Sequence, residues 1–316
     1  MQHDFTYEKQ IIEKKFEGII GQENVQEQLR SAILMRRNTI IVGAPGIGKT
    51  TLVRNIAKIL PTKKTTINGE EQNIQPPFIR VQGSPDLTAE DLIGDIDPVK
   101  AMTHGPTSIE AFTPGKIFKA NNGILFFDEV NRCSEKLQNA LLQALEEKKA
   151  TIGSYDVDLD ANFIFIGTMN PEESSTEPLS DVFLDRFDLI YMEAPKKIEQ
   201  ELTIVKTNGK KLTEYPENLL KASLTFIRAL RASEDLEKKP SVRASIGLYE
   251  RAQSNAYLNG RTSVKLEDIQ KAMISVLSHR IRLKPSLKYL KSTSDYINET
   301  FTEFCESQES ESGGHP

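Results

Sequence analysis

Apolar positions change their period along this chain, and those changes divide it. From Gln22 to Met35 the residues Val25, Leu29, Ala32 and Ile33 fall on one helical face. A short β-rich run, Asn38–Val42, then ends in glycine, and a helical stretch follows from about Lys49 to Leu60. Similar runs recur at Phe78–Val81, Gly123–Phe127, Phe163–Gly167 and Leu189–Met192. Between the third and fourth runs, Ser134–Lys149 repeats Leu137, Leu141, Ala144 and Leu145 at the i, i+4, i+7, i+8 spacing of one buried face. Strands apolar throughout and separated by helical segments predict a parallel sheet covered on both sides, an α/β fold. After Pro195 the β-rich runs stop. Residues 197 to about 285 read as helices broken by Gly209, Pro216, Pro240 and Gly260, so a boundary is expected near 195 and a helical domain over 196–304. The tail, 305–316, holds almost nothing apolar and is expected to be disordered.

The chemistry sits at the ends of these strands. Gly43-Ala44-Pro45-Gly46-Ile47-Gly48-Lys49-Thr50 fits G-x-x-x-x-G-K-[ST], directly after a strand and opening a helix, the context that marks a P-loop. Its glycines let backbone N–H groups face inward around phosphates, and the helix start adds partial positive charge. Lys49 is expected on the β- and γ-phosphates and the Thr50 hydroxyl on Mg²⁺, with Thr51 completing the nucleotide-binding stretch. ATP and Mg²⁺ are therefore the expected cofactors. Downstream, the apolar strand Ile124–Asp128 ends in the acidic pair Asp128-Glu129, which a buried strand tolerates only where solvent or a cation compensates. Asp128 is expected to hold the Mg²⁺ shell, and Glu129 to polarise the attacking water as general base. Gly167-Thr168-Met169-Asn170-Pro171 ends the next strand. Ligands gather at the carboxyl ends of parallel strands, so Asn170 is expected beside the phosphates; the plain alternative is the start of a turn.

Composition narrows the class. With 316 residues, one large domain and a smaller one are expected. The net charge of -5 advertises neither nucleic acid nor an anionic membrane as partner, and Arg280, Arg282 and Lys284 read as a solvated helix end. No run of 18 or more apolar residues occurs, and the first residues lack a signal peptide's apolar stretch, so a cytoplasmic location without a membrane span is expected. Cys133 and Cys305 are too few for a disulfide framework, and Cys133 reads as a small buried residue. His3, His104, His279 and His315 have no metal-ligand spacing, so no zinc site is expected.

The order of these motifs, with Asp185-Arg186-Phe187-Asp188 and a helical C-terminal part, resembles the AAA+ superfamily. More narrowly it is similar to the MoxR family and the ATPase subunit of magnesium chelatase. The segments that carry this are Ile19–Gln22, the P-loop, Pro114-Gly115, Gly123–Arg132, Thr168–Pro171, Asp185–Asp188 and Pro240–Ala244, within about residues 16–285. The resemblance implies a P-loop NTPase sheet flanked by helices, an AAA+ core over 1–195, and a C-terminal all-helical lid. It implies that Ile19 and Ile20 pack on adenine, that Arg186 is an arginine finger for the neighbouring subunit's ATP, and that Arg243 is the sensor-2 arginine. Plain alternatives are a salt bridge from Arg186 to Asp185 or Asp188, and an ordinary lid surface position for Arg243. A site completed by a neighbour is a head-to-tail interface that closes into a ring, a hexamer by family expectation. The segment 91–118 resembles an insertion that points into the ring pore, and about 150–160 the hairpin before sensor 1. Asp95 and Asp97 read as turn and cap residues.

Ala44-Pro45 and Asn131-Arg132 are similar to MoxR proteins, whereas Gly94–Pro98 and Lys100-Ala101 are similar to the chelatase subunit. No von Willebrand factor A-type domain is read in the sequence, so a separate partner of that type is expected. The leading functional expectation is a ring ATPase that remodels a protein client or assists metal insertion with a partner. The narrower alternative is the ATPase subunit of a true magnesium or cobalt chelatase acting on a tetrapyrrole. Alternatives of other classes are a nucleotide-gated scaffold with little turnover, against which the intact acidic pair argues, and a DNA-translocating ring, against which the acidic balance argues.

Overall fold

The computed structural model describes residues 9, 11–60, 62–67, 70–105, 108–151, 158–171 and 179–312. Compactness divides the chain between Met192 and Glu193, with Pro45–Ile47 counted in the second unit. In the first unit the central sheet comprises β1 (Thr39–Val42), β2 (Phe78–Gln82), β3 (Ile124–Asp128), β4 (Ile164–Met169) and β5 (Asp188–Tyr191). Their order is β5-β1-β4-β3-β2, with every neighbouring pair parallel. This is the parallel sheet that the five apolar runs predict. β1 and β3 are buried along their whole length, as continuous apolar strands require.

Helix Glu23–Leu34 buries Val25, Leu29, Ala32 and Ile33, the face read from its spacing. Helix Glu135–Glu147 buries Leu137, Leu141 and Ala144 together with Gln138, whose amide donates to the Cys133 carbonyl at 3.1 Å. Leu137, Leu141 and Ala144 pack with Phe127, Phe165, Phe183 and Phe187 into one apolar cluster. Several elements carry too little apolar periodicity to be read from the sequence. The ribbon of Lys63–Ile67 with Glu70–Ile74 is one, and the short pair Gly94–Ile96 with Phe112–Pro114, inside the 91–118 segment, is another. Asp97 caps the following helix, Pro98–His104, by accepting from the Val99 N–H at 2.9 Å. The hairpin expected at about 150–160 has strands Lys149–Thr151 and Asp158–Asp160 paired antiparallel. Its tip, with Gly153, lies outside the described residues.

The second unit is helical, with Ile198–Asn208, Glu217–Ala232, Val242–Leu258, Leu266–Leu277 and Thr293–Ser312 among its helices. It also holds a short antiparallel ribbon in which buried Leu236 and Leu283 face each other. One expectation is corrected. The segment from Cys305 is not disordered from its start; the last helix runs on to Ser312. Phe301 is buried, and Phe304 and Cys305 pack against the same cluster, so the helix is anchored apolarly just before the polar stretch and continues into it. Among the described residues no helix is long and apolar enough to cross a membrane.

The strongest polar feature of this unit is Glu201, which is fully buried. It accepts from Arg231 at 2.9 and 3.1 Å, from Arg228 at 3.1 Å and from the Ser245 hydroxyl at 2.6 Å. Burial pushes the carboxyl up, but the Arg231 bond and charge, with Ser245 and Arg228, outweigh it and hold the group below its usual range. This knot ties helices Ile198–Asn208, Glu217–Ala232 and Val242–Leu258 together. Its contribution is present above the unfolded carboxylate's value of about 4.3 and is lost as pH falls through the lower folded value. Glu201→Ala should cost about 3 kcal/mol of stability at neutral pH by urea unfolding, because it leaves two half-buried guanidinium groups and the buried Ser245 hydroxyl without their partner. A loss below ~1 kcal/mol would show that water replaces the carboxylate.

Candidate nucleotide site

β1 delivers the chain into the glycine loop. Gly43 donates its N–H to the Met169 carbonyl at 3.1 Å, extending the β1–β4 ladder by one bond before the loop turns. Gly46 and Gly48 hold φ of 79° and 104°. At Gly48 a Cβ would meet nothing closer than 3.6 Å, so there the constraint is backbone conformation and not space. Helix Lys49–Ile59 starts at Gly48 with no side-chain cap, which leaves its first N–H groups for a ligand. The Lys49 ammonium donates to the Gly43 and Ala44 carbonyls at 2.5 and 2.9 Å.

Asp128, at the end of β3, is 7% exposed. Its carboxylate accepts from the Thr168 hydroxyl at 2.6 Å, from Arg80 at 2.7 Å, and from the Thr50 hydroxyl at 3.2 and 3.3 Å. Glu129 sits in the left-handed region at φ 59°, which costs a non-glycine residue about 1 kcal/mol. The turn is held by its N–H, which donates to the Thr168 hydroxyl at 2.9 Å. Thr168 Oγ1 thus accepts from one member of the acidic pair and donates to the other. The Glu129 carboxylate accepts from the Gln82 amide at 3.0 Å and pairs with Arg132 at 3.2 Å. Gly83, just after β2, passes directly against this turn: its N–H donates to the Asp128 carbonyl at 2.7 Å, and a Cβ would lie 2.0 Å from the Glu129 carbonyl oxygen.

The structure therefore brings Lys49, Thr50, Asp128 and Glu129 to one edge of the sheet. Asn170 follows β4 there, and its carbonyl accepts from the Asn131 amide at 3.3 Å. Ile19 and Ile20 are half-buried between Gly18 and Gly21, each with φ of 70°. Arg186 bonds neither Asp185 nor Asp188 in the contacts described; it donates to Glu146 at 2.5 Å and to the Val182 carbonyl at 2.7 Å. Asp188 is held instead by Arg37 at 2.6 and 3.0 Å, which keeps its carboxyl below the usual range. Arg243 is exposed in the first turn of helix Val242–Leu258, in the second unit. Cys133 is buried, which pushes its thiol up to about 11 and makes it a poor nucleophile at neutral pH.

Residues 38–189 match the family model of the ATPase family associated with various cellular activities (AAA), and 222–299 match that of the AAA lid domain. A solved structure of a Thermotoga maritima RuvB mutant shares the fold, with a TM-score of 0.52 and 23% identity over 84% of this chain and 73% of that one. The uncharacterized protein YeaC of Bacillus subtilis is 28% identical, covering 86% of this chain and 85% of YeaC. A magnesium-chelatase subunit ChlI of Olisthodiscus luteus is 30% identical over 310 residues, 85% of this chain and 90% of that protein. The chain belongs to the AAA+ ATPases.

As an AAA+ ATPase of the MoxR and ChlI-like group, it binds nucleotide and hydrolyses ATP. The donor chemistry near Thr50 suits magnesium. The Thr50 hydroxyl and the Asp128 carboxylate are hard oxygens in contact, while no group of three or more His, Cys, Asp or Glu side chains that could cage a metal is found among the described residues. An ion held there would draw its other ligands from phosphate oxygens and water, as magnesium commonly does. Arg80, Gln82, Gly83 and Thr168 belong to this site without being legible as site residues in the sequence. Thr168 sits inside a recognised motif, while Arg80 and Gln82 lie on β2 and Gly83 just after it, a strand whose pairing partner cannot be read locally. Thr168→Val should cost about 2 kcal/mol in urea unfolding, since it strips partners from a buried carboxylate and a strained N–H. A loss under ~0.5 kcal/mol would show that the turn holds itself.

Proposed function

We propose that this AAA+ ATPase binds ATP with Mg²⁺ at the P-loop and hydrolyses it between subunits of a head-to-tail ring, driving a change in a protein client or in a metal-inserting partner. The observation that carries this reading is the acidic turn Asp128-Glu129, knitted by Thr168 to the strand beside the P-loop and touching Thr50. Asp128 and Thr50 hold the metal, which when bound screens phosphate charge. Lys49 exchanges its loop carbonyls for phosphate oxygens. Glu129 accepts the proton of the attacking water, and Asn170 orients that water. Arg186 leaves Glu146 to meet a neighbour's ATP, and Arg243 is assigned to the phosphates on the resemblance alone. Ile19 and Ile20 are assigned to adenine on the same ground. A hexameric ring and a von Willebrand factor A-type partner belong to the same proposal.

The likeness to a chelatase subunit over most of both chains supports a second reading, the ATPase subunit of a metal chelatase acting on a tetrapyrrole. ATP-dependent metal insertion on adding the remaining chelatase chains separates the two readings.

ATP hydrolysis should be measured against protein concentration, with Mg²⁺ and with EDTA, beside light scattering. Specific activity should rise as assemblies form and vanish in EDTA. Glu129→Gln should bind ATP normally and lose turnover by roughly 10²–10⁴-fold. Arg186→Ala should still assemble and lose most of its concentration-dependent activity. Undiminished turnover in Glu129→Gln would remove the base assignment. Full activity in dilute, monomeric Arg186→Ala would remove the shared site.

A further inference from the structure

Arg80 is a cation in a place where the reaction needs a different one. It lies on β2 opposite Phe126, with Gln82 opposite Asp128, so the period of 2 puts Arg80, Gln82 and Asp128 on one face. Its Nη2 donates to Asp128 Oδ2 at 2.7 Å and to Gln82 Oε1 at 3.1 Å. The guanidinium sits 5.9 Å from the Phe126 ring centre. Asp128 is nearly buried, while the Arg80 side chain is 41% exposed. The carboxylate is therefore fixed and its arginine partner has solvent to move into.

Both oxygens of Asp128 face Thr50: Oδ2, which Arg80 occupies, lies 3.2 Å from the Thr50 hydroxyl, and Oδ1, 3.3 Å from it, is already taken by Thr168 at 2.6 Å. A magnesium ion shared by Thr50 and Asp128 would need a free carboxylate oxygen on this edge, and with Oδ1 held by Thr168 that oxygen is the one Arg80 occupies. A divalent ion and a guanidinium on one carboxylate edge repel each other at close range. One must yield, and the exposed one can.

We propose that Arg80 is the internal counter-cation of Asp128 and competes with magnesium for it, so that it sets the magnesium concentration at which nucleotide is retained. This rests on the nucleotide reading above. Without metal, Arg80 keeps a buried carboxylate compensated and the β3 end in place. When metal arrives, Arg80 turns toward solvent and the Gln82 side chain. Arg80 is thus a positioning residue, and it acts through Asp128. Its removal should make magnesium binding tighter, the reverse of what loss of a metal ligand or of a phosphate contact would do.

The test uses the full chain and a fluorescent ADP, N-methylanthraniloyl-ADP, so that turnover plays no part. Magnesium is titrated at fixed probe for the wild type and for Arg80→Gln. The half-saturating magnesium concentration should fall roughly fivefold in Arg80→Gln, at the upper end for a pair with one buried partner. Affinity for the probe in EDTA should stay within about twofold, because the binding groups are untouched. Should Arg80→Gln not fold, Arg80→Met keeps an aliphatic stem over Phe126 and carries the same expectation. In an Asp128→Asn background the shift should vanish. An unchanged or raised magnesium midpoint overturns the proposal, and so does a shift that persists with Asp128→Asn. Loss of probe affinity in EDTA also overturns it, assigning Arg80 to the phosphates instead. Failure of the wild type to retain the probe in either condition would strike the nucleotide reading itself, a result distinguishable from all of these.

Discussion

A carboxylate at the end of a buried strand is the constraint around which the first unit is arranged. Ile124–Phe127 are wholly buried, and Asp128 ends the same strand nearly out of water. An isolated charge there would cost several kcal/mol. The fold supplies donors from three neighbours instead: Thr50 from the helix after the P-loop, Arg80 from β2 and Thr168 from β4. Each donor fixes its own element relative to β3. The same need explains details that look unrelated. Glu129 must turn left-handed at once for its N–H to reach Thr168, and Gly83 must lack a side chain for β2 to end against that turn.

Glu201 shows that a compensated buried carboxylate is not by itself a sign of function. It too is fully buried and tied by arginines and a hydroxyl, yet its partners close around it from several sides within a helical unit. Its acceptor capacity is spent on its own chain. Asp128 differs in place more than in chemistry. It stands at the carboxyl edge of a parallel sheet, beside a glycine loop and an uncapped helix start, where ligands collect. Its weakest contact, to Thr50, is also the one a metal would use.

How far the sequence could be read follows from the range of each interaction. The P-loop and the acidic pair are contiguous, and the chemistry they need is written in neighbouring residues. The sheet strands were visible because a parallel sheet demands unbroken apolar runs, and helix Glu23–Leu34 because its face repeats at helical spacing. Nothing adjacent to Arg80 in the sequence marks its role, which depends on the register that sets Gln82 against Asp128. The partner of Arg186 was sought among adjacent acids, but Asp188 is taken by Arg37 and Glu146 comes from a distant helix. Ribbons such as Leu236–Lys238 with Arg282–Leu283 are too short to show a period. The last helix escaped because its anchor, Phe301 and Phe304, precedes the polar stretch that it carries.

Taken together, the charged groups of the site are already partnered at home. Arg80 covers Asp128, Arg132 and Gln82 cover Glu129, Lys49 rests on loop carbonyls, and Arg186 rests on Glu146. Catalysis then requires an exchange of partners and not the filling of bare charges. Such an exchange proceeds only as far as the incoming ligands bind the exchanged arrangement better than the resting one. In the proposed mechanism phosphates draw Lys49, metal draws Asp128, and a neighbour's nucleotide draws Arg186. Each of these is a charge-assisted contact replacing another, so the net gain per exchange is modest and no single one commits the site. On that proposal the ATPase stays quiet until nucleotide, metal and neighbour are all present, because each removes a different internal partner.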